Sequence, residues 1–299
     1  MNTSPQSPLV GVFWMVVTGL CFVAVTGIVK HVGGDVPPAQ AAFLRYIFGL
    51  IFVLPMIVRL WGTPIAKSDF VLFGIRGASH TIAVILWFYA MTQIPIAEVT
   101  AMNYLSPVYV TVGAAFLLGE TFALRRILAV VAALVGALII LRPGVRELGS
   151  GHLAMLFTPV LFAVGYIITK QQSDRIPPSV IVAMLSITVT IGLAPFAFAV
   201  WVPVTPSQLG WLALVAAFAT TAHYTMTLAF RAAPVSVTQP VTFLQLIWAT
   251  LLGALLFNEP ADQWVILGGL IIISAISYIS WREARLRRGV TPTPSETKL

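Results

Sequence analysis

Several ionisable side chains lie in stretches of this sequence that are otherwise apolar. Arg76 and His80 share the third long apolar stretch with Trp87, at spacings that place all three on one face of a helix. His223 lies in the eighth stretch. Ionisable side chains are costly in a bilayer and usually face a bundle interior or a cavity. The pattern therefore favours a binding cavity, although a hydrogen bond to a neighbouring helix would also explain each histidine.

Polar side chains also recur at matched places in the fourth and ninth apolar stretches. Asn103 and Ser106 are one helical turn apart, and Thr242 and Gln245 follow them at an offset of 139 residues. These four side chains are predicted to line the cavity, with hydrogen bonding between helices as the equal alternative. Three aromatic side chains could supply its walls: Trp87, Tyr166 and Trp248.

Proline residues inside predicted helices are candidates for gating instead of binding. A proline removes one backbone donor, frees a carbonyl and bends the helix. Helices could pivot at such points during a conformational change. The predicted gating or kink positions are Pro107, Pro159 and Pro240.

The residue types give little indication of catalysis, of metal binding or of ion coupling through a carboxylate. All ten carboxylates fall at predicted helix ends, in connections or in the tail, so the sequence predicts neither a catalytic dyad nor an intramembrane carboxylate for ion coupling. Four scattered histidines and one cysteine predict no metal site. We therefore predict a protein that is not an enzyme and has no cofactor; if it moves a solute, it does so down the gradient of that solute or couples through His80 or His223.

Composition determines the class of protein. Of 299 residues, 59% are hydrophobic and only 9% are charged, with a mean hydropathy of +0.95. Soluble domains carry about 25% charged residues, so this composition predicts an all-α integral membrane protein. Ten stretches are long enough to cross a bilayer: 9–29, 39–60, 69–91, 97–118, 123–141, 151–170, 179–201, 208–230, 236–257 and 263–281.

The distribution of lysine and arginine predicts the orientation. Twelve of them fall on the side that holds both termini and three on the opposite side. By the positive-inside rule, both termini are cytoplasmic, in a bacterial inner membrane. Because the basic residues flank apolar segments, the net charge of +7 does not predict nucleic-acid binding.

An internal repeat relates the two halves of the chain. Residues 11–55 and 151–195 align without a gap with 11 identities in 45, against roughly four expected from composition. A second block pairs 90–120 with 229–259 and aligns Pro95 with Pro234 and Glu120 with Glu259. A unit of five helices must re-enter the membrane upside down. The prediction is therefore two inverted-topology five-helix repeats, typical of alternating-access transporters.

The repeat divides the chain into five segments. These are a cytoplasmic N-terminus (1–8), a first five-helix repeat (9–141), an inter-repeat loop (142–150), a second five-helix repeat (151–281) and a basic tail predicted to be disordered (282–299).

The ten helices, the repeat and the stretches "LLGE" and "LLFNE" that end at Glu120 and Glu259 carry a resemblance to a known family. The chain resembles the drug/metabolite transporter superfamily, and within it the EamA-type bacterial exporters. It is similar to the aromatic amino acid exporters in length and termini. The resemblance implies export of amino acids or similar small metabolites by a monomer or weak homodimer. Alternatives are a carrier of S-adenosylmethionine, another larger metabolite or a drug, and a scaffold or channel that transports nothing.

Two further expectations concern charged residues at helix ends. Glu120 and Glu259 are each expected to cap the helix that follows them, since helix N-termini favour negative charge. Arg45, in the second stretch, is expected to reach outward along its aliphatic stem or to pair with Glu98.

Overall fold

The computed structural model describes most of the chain as α-helix. It covers residues 8–58, 64–106, 108–110, 112–113, 124–145, 147–173, 176–232, 241–242 and 244–288; Pro107, Glu120 and Pro240 therefore lie outside the described residues. A 3-10 turn, Gly33–Asp35, joins the first two helices. The α-helices in this part of the chain are α1 Pro8–Val32, α2 Pro38–Val58, α3 Lys67–Gln93, α4 Ile96–Asn103, α5 Leu124–Leu141, α6 Ser150–Ser173, α7 Pro178–Ala199, α8 Pro206–Ala232, α9 Leu244–Phe257 and α10 Gln263–Arg288.

Helix length and composition agree with a membrane protein. Within the described residues, five segments are long and apolar enough to cross a bilayer: Leu9–Asp35, Pro38–Pro55, Lys67–Gln93, Ser150–Thr169 and Ser179–Ala199. Shorter apolar helical segments cover Ile127–Leu141, Leu244–Phe257 and Gln263–Tyr278. Large apolar side chains are exposed along these helices, as expected where lipid covers them.

The fourth helix differs from the single span predicted for residues 97–118. α4 ends at Asn103, a turn occupies Tyr104 and Leu105, and helical residues resume at Ser106. Residue 107 is proline, which has no N–H to donate to the carbonyl of Asn103 four residues earlier. The expected ladder hydrogen bond at this point cannot form, which accounts for the end of α4.

Most helix contacts between the two halves come in matching pairs: when a helix of one half contacts a helix of the other, their counterparts contact each other too. α1 packs on α8 as α6 packs on α3, and α2 packs on α8 as α7 packs on α3. Other cross-half pairs join a helix to its own counterpart, α2 to α7, α4 to α9 and α5 to α10, and α1 packs on α9 as α6 packs on α4. Exchanging helix n for helix n+5 turns each of these pairs into another or into itself, as a two-fold relation between the halves requires; the packing of α4 on α10 departs from this pattern, because α9 and α5 make no contact of similar extent among the described residues.

One glutamine ties the two halves together near the end of α7. Gln40 of α2 is fully buried, donates to the carbonyl of Val202 at 2.8 Å and accepts from the Val202 N–H at 2.9 Å. Both backbone groups of Val202 lie in the α7–α8 connection, where no helix supplies them with partners. The amide of Gln40 replaces the missing backbone partner.

We expect Gln40→Leu to destabilise the protein, because it leaves the N–H and the carbonyl of Val202 without their partner. An unsatisfied buried group costs about 1–3 kcal/mol, so thermal unfolding of the purified protein should shift down by several degrees. Gln93→Leu, at an exposed glutamine that ends α3, is the matched control and should leave the transition within about a degree. Equal transitions for both variants would contradict this role for Gln40.

Among the described residues, three ion pairs close one end of the bundle; two join the first half to the second, and the pair of Arg142 joins the inter-repeat loop to the second half. Lys30 pairs with Glu259, Arg142 with Asp262, and Glu98 with His152 at 2.8 Å. We call this the ion-pair end; it carries the connections at residues 33–37, 94–95, 142–149, 200–205 and 258–262.

The ion pairs also correct the expected roles of the carboxylates at this end. Glu259 does not cap the following helix; its carboxylate accepts from the N–H of Ile96, the first residue of α4, at 2.9 Å. Asp262 instead accepts from the N–H of Trp264 at the start of α10. The positive end of the α4 dipole thus faces the carboxylate of Glu259 from the other half of the chain.

Candidate functional site

The centre of α3 carries a buried arginine and a histidine. His80 is the middle residue of α3, and Arg76 lies one turn earlier with 9% of its surface exposed. The Arg76 guanidinium donates to the carbonyl of Ile181 in α7 at 3.1 Å, and its Cγ lies against Gly165 of α6. The buried Nε of Arg76 has no hydrogen-bond partner among the described residues. A donor therefore remains available for a ligand.

α2 adds a tyrosine and a second arginine to this centre. The His80 Nε2 and the Tyr46 hydroxyl lie 3.0 Å apart, within hydrogen-bond distance. The Arg45 guanidinium lies over the Tyr46 ring, 4.2 Å from its centroid. Arg45 thus neither extends away from the centre nor supplies the partner of Glu98, which pairs with His152. The aromatic face attracts the cation electrostatically.

Aromatic side chains from α3 and α6 surround the polar centre. Phe162 lies 5.0 Å from the His80 ring and 6.3 Å from the Trp87 ring, measured between ring centroids. Tyr166, one turn further along α6, interacts electrostatically with Arg76 and Tyr46 yet is 55% exposed.

α1 and α8 border the same region from the other side. The His223 ring of α8 meets Phe22 of α1 edge to face, with 5.4 Å between centroids. Gly19, one turn before Phe22, lies against the side chain of Gln245 in α9. α1 therefore connects the histidine of α8 with the polar residues of α9.

Asn103 and Ser106, two of the polar residues predicted to line the cavity, flank the break in the fourth helix. Asn103 Oδ1, Ser106 Oγ and the indole N–H of Trp248 are buried and have no hydrogen-bond partner among the described residues. The Tyr104 hydroxyl donates to the backbone carbonyl of Thr242 at 3.2 Å, which ties the two segments together. Lining of a cavity and hydrogen bonding between helices both stay predictions for these residues.

Pro159, the one predicted kink residue that is described, lies inside α6 without ending that helix. Its predicted part in gating stays a prediction.

The charges in this region are positive. Arg45 and Arg76 both act electrostatically on His80 and on His223. No carboxylate is among the groups that act on Arg76 or on either histidine in the described chain. The described carboxylates at the ion-pair end are Asp35, Glu98, Glu147, Glu259 and Asp262, while Asp69 is seven residues before Arg76, about 10 Å along the helix.

The same residues offer little to a metal ion. In the described part of the chain, no group of three or more His, Cys, Asp or Glu side chains is close enough to hold one.

Sequence reasoning did not find Arg45, Tyr46, Phe22 and Phe162 as members of this centre. Their positions follow from which helices pack together, and helix pairing cannot be read from the spacing within one helix. The internal repeat held one usable signal, because it aligns Phe22 of α1 with Phe162 of α6. Aromatic rings at corresponding places in the two halves now flank His223 and His80 respectively.

Comparison with known proteins adds independent findings. Residues 9–142 and 149–281 each match the model of the EamA-like transporter family. A riboflavin transporter of Rhizobium johnstonii is 29% identical over 96% of this chain and 96% of its own. An S-adenosylmethionine uptake transporter of Rickettsia prowazekii is 22% identical over 95% of this chain and 97% of its own. A pseudopaline exporter of Pseudomonas aeruginosa is 23% identical over 90% of this chain and 95% of its own.

A solved crystal structure supports the fold. It aligns with a TM-score of 0.58 over 95% of this chain and 99% of its own, at 19% identity.

Proposed function

The chain belongs to the EamA-like transporter family, and from that premise we propose that it carries small aromatic metabolites, aromatic amino acids among them, through a cavity between its two halves. The observation that supports this most directly is the polar centre of Arg76, His80 and Tyr46 beside the rings of Phe162 and Trp87. Binding sites for small molecules combine apolar and aromatic walls with a few polar groups in this way.

The proposed mechanism is alternating access between inverted repeats, residues 9–141 and 151–281. The site draws α2 and α3 from the first repeat and α6 and α8 from the second, the arrangement expected for such carriers. Ion pairs that join the repeats close the ion-pair end, so access from that side requires them to separate. The excess of lysine and arginine at the opposite end supports cytoplasmic termini in a bacterial inner membrane.

Export down the substrate gradient is the proposed direction and energy source. Within the described chain no carboxylate acts on the central histidines or on Arg76, so ion coupling through an acidic residue finds no support at the site. Import of a flavin is the second candidate. Riboflavin has a planar aromatic ring system rich in hydrogen-bond acceptors, and a riboflavin transporter is among the relatives.

Transport by reconstituted protein tests the proposal. Liposomes would be loaded in turn with labelled threonine, methionine, phenylalanine, tryptophan, S-adenosylmethionine and riboflavin, without an ion gradient. We expect efflux of the aromatic solutes above that from empty liposomes, and at least a tenfold loss in His80→Ala, because the imidazole contacts both the Tyr46 hydroxyl and the Phe162 ring.

The control variant replaces His31, whose ring contacts Trp211 at the ion-pair end. His31→Ala should keep most of the activity. Transport of S-adenosylmethionine alone would replace the aromatic proposal with the cationic alternative, and efflux that begins only when a pH gradient is added would contradict the uncoupled mechanism.

A further inference from the structure

The balance of charge at the centre of the bundle is uneven. Arg45 and Arg76 place two permanent positive charges near His80 and His223. The hydrogen bonds given for Arg76 and His80 in the described chain lead to a backbone carbonyl and a tyrosine hydroxyl, which are neutral groups. A cation removed from water without a counter-ion is costly. The centre is thus suited to a ligand that brings negative charge.

The Arg76 side chain also shows where that charge would bind. Its guanidinium donates to the Ile181 carbonyl through one terminal nitrogen, while the buried Nε has no partner among the described residues. Arginine binds carboxylates through two parallel N–H donors. The unpaired donor can serve one oxygen of a carboxylate while the neighbouring terminal nitrogen serves the other.

Aromatic side chains near Arg76 could contact the ring of a ligand whose carboxylate binds the Arg76 guanidinium. Tyr166 interacts electrostatically with Arg76 and is half exposed, and Phe162 lies one turn away on α6 beside His80 and Trp87. A ring seated among these side chains would place a short carboxylate-bearing arm near Arg76.

We infer that the transported substrate is an aromatic carboxylate with a net negative charge, in preference to a zwitterionic amino acid. An ammonium group near Arg45 and Arg76 would meet like charge, and no carboxylate among the described residues acts there to pair with it. This inference rests on the proposed function, because it names the substrate class of the same cavity.

Three probes that share a phenyl ring and differ in charge test the inference directly. These are 3-phenylpropionate (anion), phenylalanine (zwitterion) and phenethylamine (cation), titrated at neutral pH into the full-length protein in lipid nanodiscs by calorimetry. We expect 3-phenylpropionate to bind about tenfold or more tightly than phenylalanine, since like charges brought together cost several kcal/mol, and phenethylamine to bind weakest.

Substitutions of Arg76 and Arg45 test whether these two arginines cause the preference for the anionic probe. Arg76→Gln should lower the affinity for 3-phenylpropionate about tenfold or more, since hydrogen bonds to charged groups contribute about 1.5–3 kcal/mol. Arg76 also binds the Ile181 carbonyl, so Arg45→Gln, which leaves that contact intact, gives a second measurement if Arg76→Gln fails to fold. Lys67→Gln removes a positive charge at the exposed start of α3 and should change no affinity.

Each outcome separates the two proposals. Equal or tighter binding of phenylalanine, or affinities unaffected by both central arginine substitutions, would overturn the inference and leave aromatic transport standing. Tight binding of riboflavin without binding of 3-phenylpropionate would do the same. If no aromatic solute binds to the protein and none leaves the liposomes, the proposed function itself is overturned.

Discussion

Lys30→Met is expected to unfold at a temperature several degrees below that of the unaltered protein. The substitution leaves the Glu259 carboxylate, whose side chain is only 12% exposed, with the Ile96 N–H but without its cation. Removing one member of a fully buried pair costs about 3–5 kcal/mol; because Lys30 is still 18% exposed, we expect the lower end of that range, a shift of roughly 6 °C in a protein of this size. Lys30 also donates to the carbonyl of Ile94 at 2.9 Å, and that hydrogen bond is lost as well.

A double-mutant cycle isolates the contribution of the pair. Lys30→Met/Glu259→Gln removes both charges while the glutamine carbonyl still accepts from the Ile96 N–H. It should therefore recover part of the loss, with a coupling energy of about 0.5–3 kcal/mol. Lys67→Met, at an exposed lysine that begins α3, is the matched control and should leave the transition unchanged. Strictly additive effects would show that Lys30 and Glu259 do not depend on each other.

The same pair should influence transport. Because it joins the halves at the ion-pair end, its loss favours the state in which that end is open. We expect the rate of efflux in the double variant to differ from that of the unaltered protein at equal amounts of folded carrier, while Lys67→Met transports normally. An unchanged rate in the double variant would mean that separation of this pair does not limit transport.

Gly268→Ala is expected to have the second large effect, on the packing of α5 against α10. A Cβ at Gly268 would lie 2.4 Å from the carbonyl oxygen of Gly136, and one at Gly136 would lie 2.7 Å from that of Gly268. Neither backbone can yield without separating the two helices. Membrane helices use small residues to approach this closely. Overpacking typically costs about 1–3 kcal/mol, and a clash with backbone belongs at the upper end of that range.

Gly74, which has space for a Cβ, supplies the control for Gly268→Ala. Gly74 lies in α3 with no atom within 4 Å of an added Cβ. Gly74→Ala should stabilise the helix by about 0.5–1 kcal/mol, because alanine loses less conformational freedom on folding. We expect opposite shifts of the thermal transition for the two variants. A Gly268→Ala protein as stable as the unaltered one would contradict the close contact between α5 and α10.

Much of the architecture was predictable because it follows from local properties of the chain. The exclusion of unpaired backbone groups from lipid forces each long apolar stretch to be a helix, so the positions of α1, α2, α3, α6 and α7 follow from composition and length. The end of α4 before Pro107 is also encoded locally, by a missing N–H. Membership of the EamA-like family likewise agrees with the resemblance carried by the repeat.

The composition of the site depended on helix pairing, which the sequence does not specify locally. The spacing of residues along α3 and α8 predicted that Arg76, His80 and His223 face the interior. It did not predict which side chains of other helices contact them. Packing of α2 beside α3 brought Tyr46 to His80 and Arg45 over Tyr46. Ion pairing was equally non-local: Glu259 contacts Lys30, 229 positions earlier, because association of the two halves removes both charges from water together.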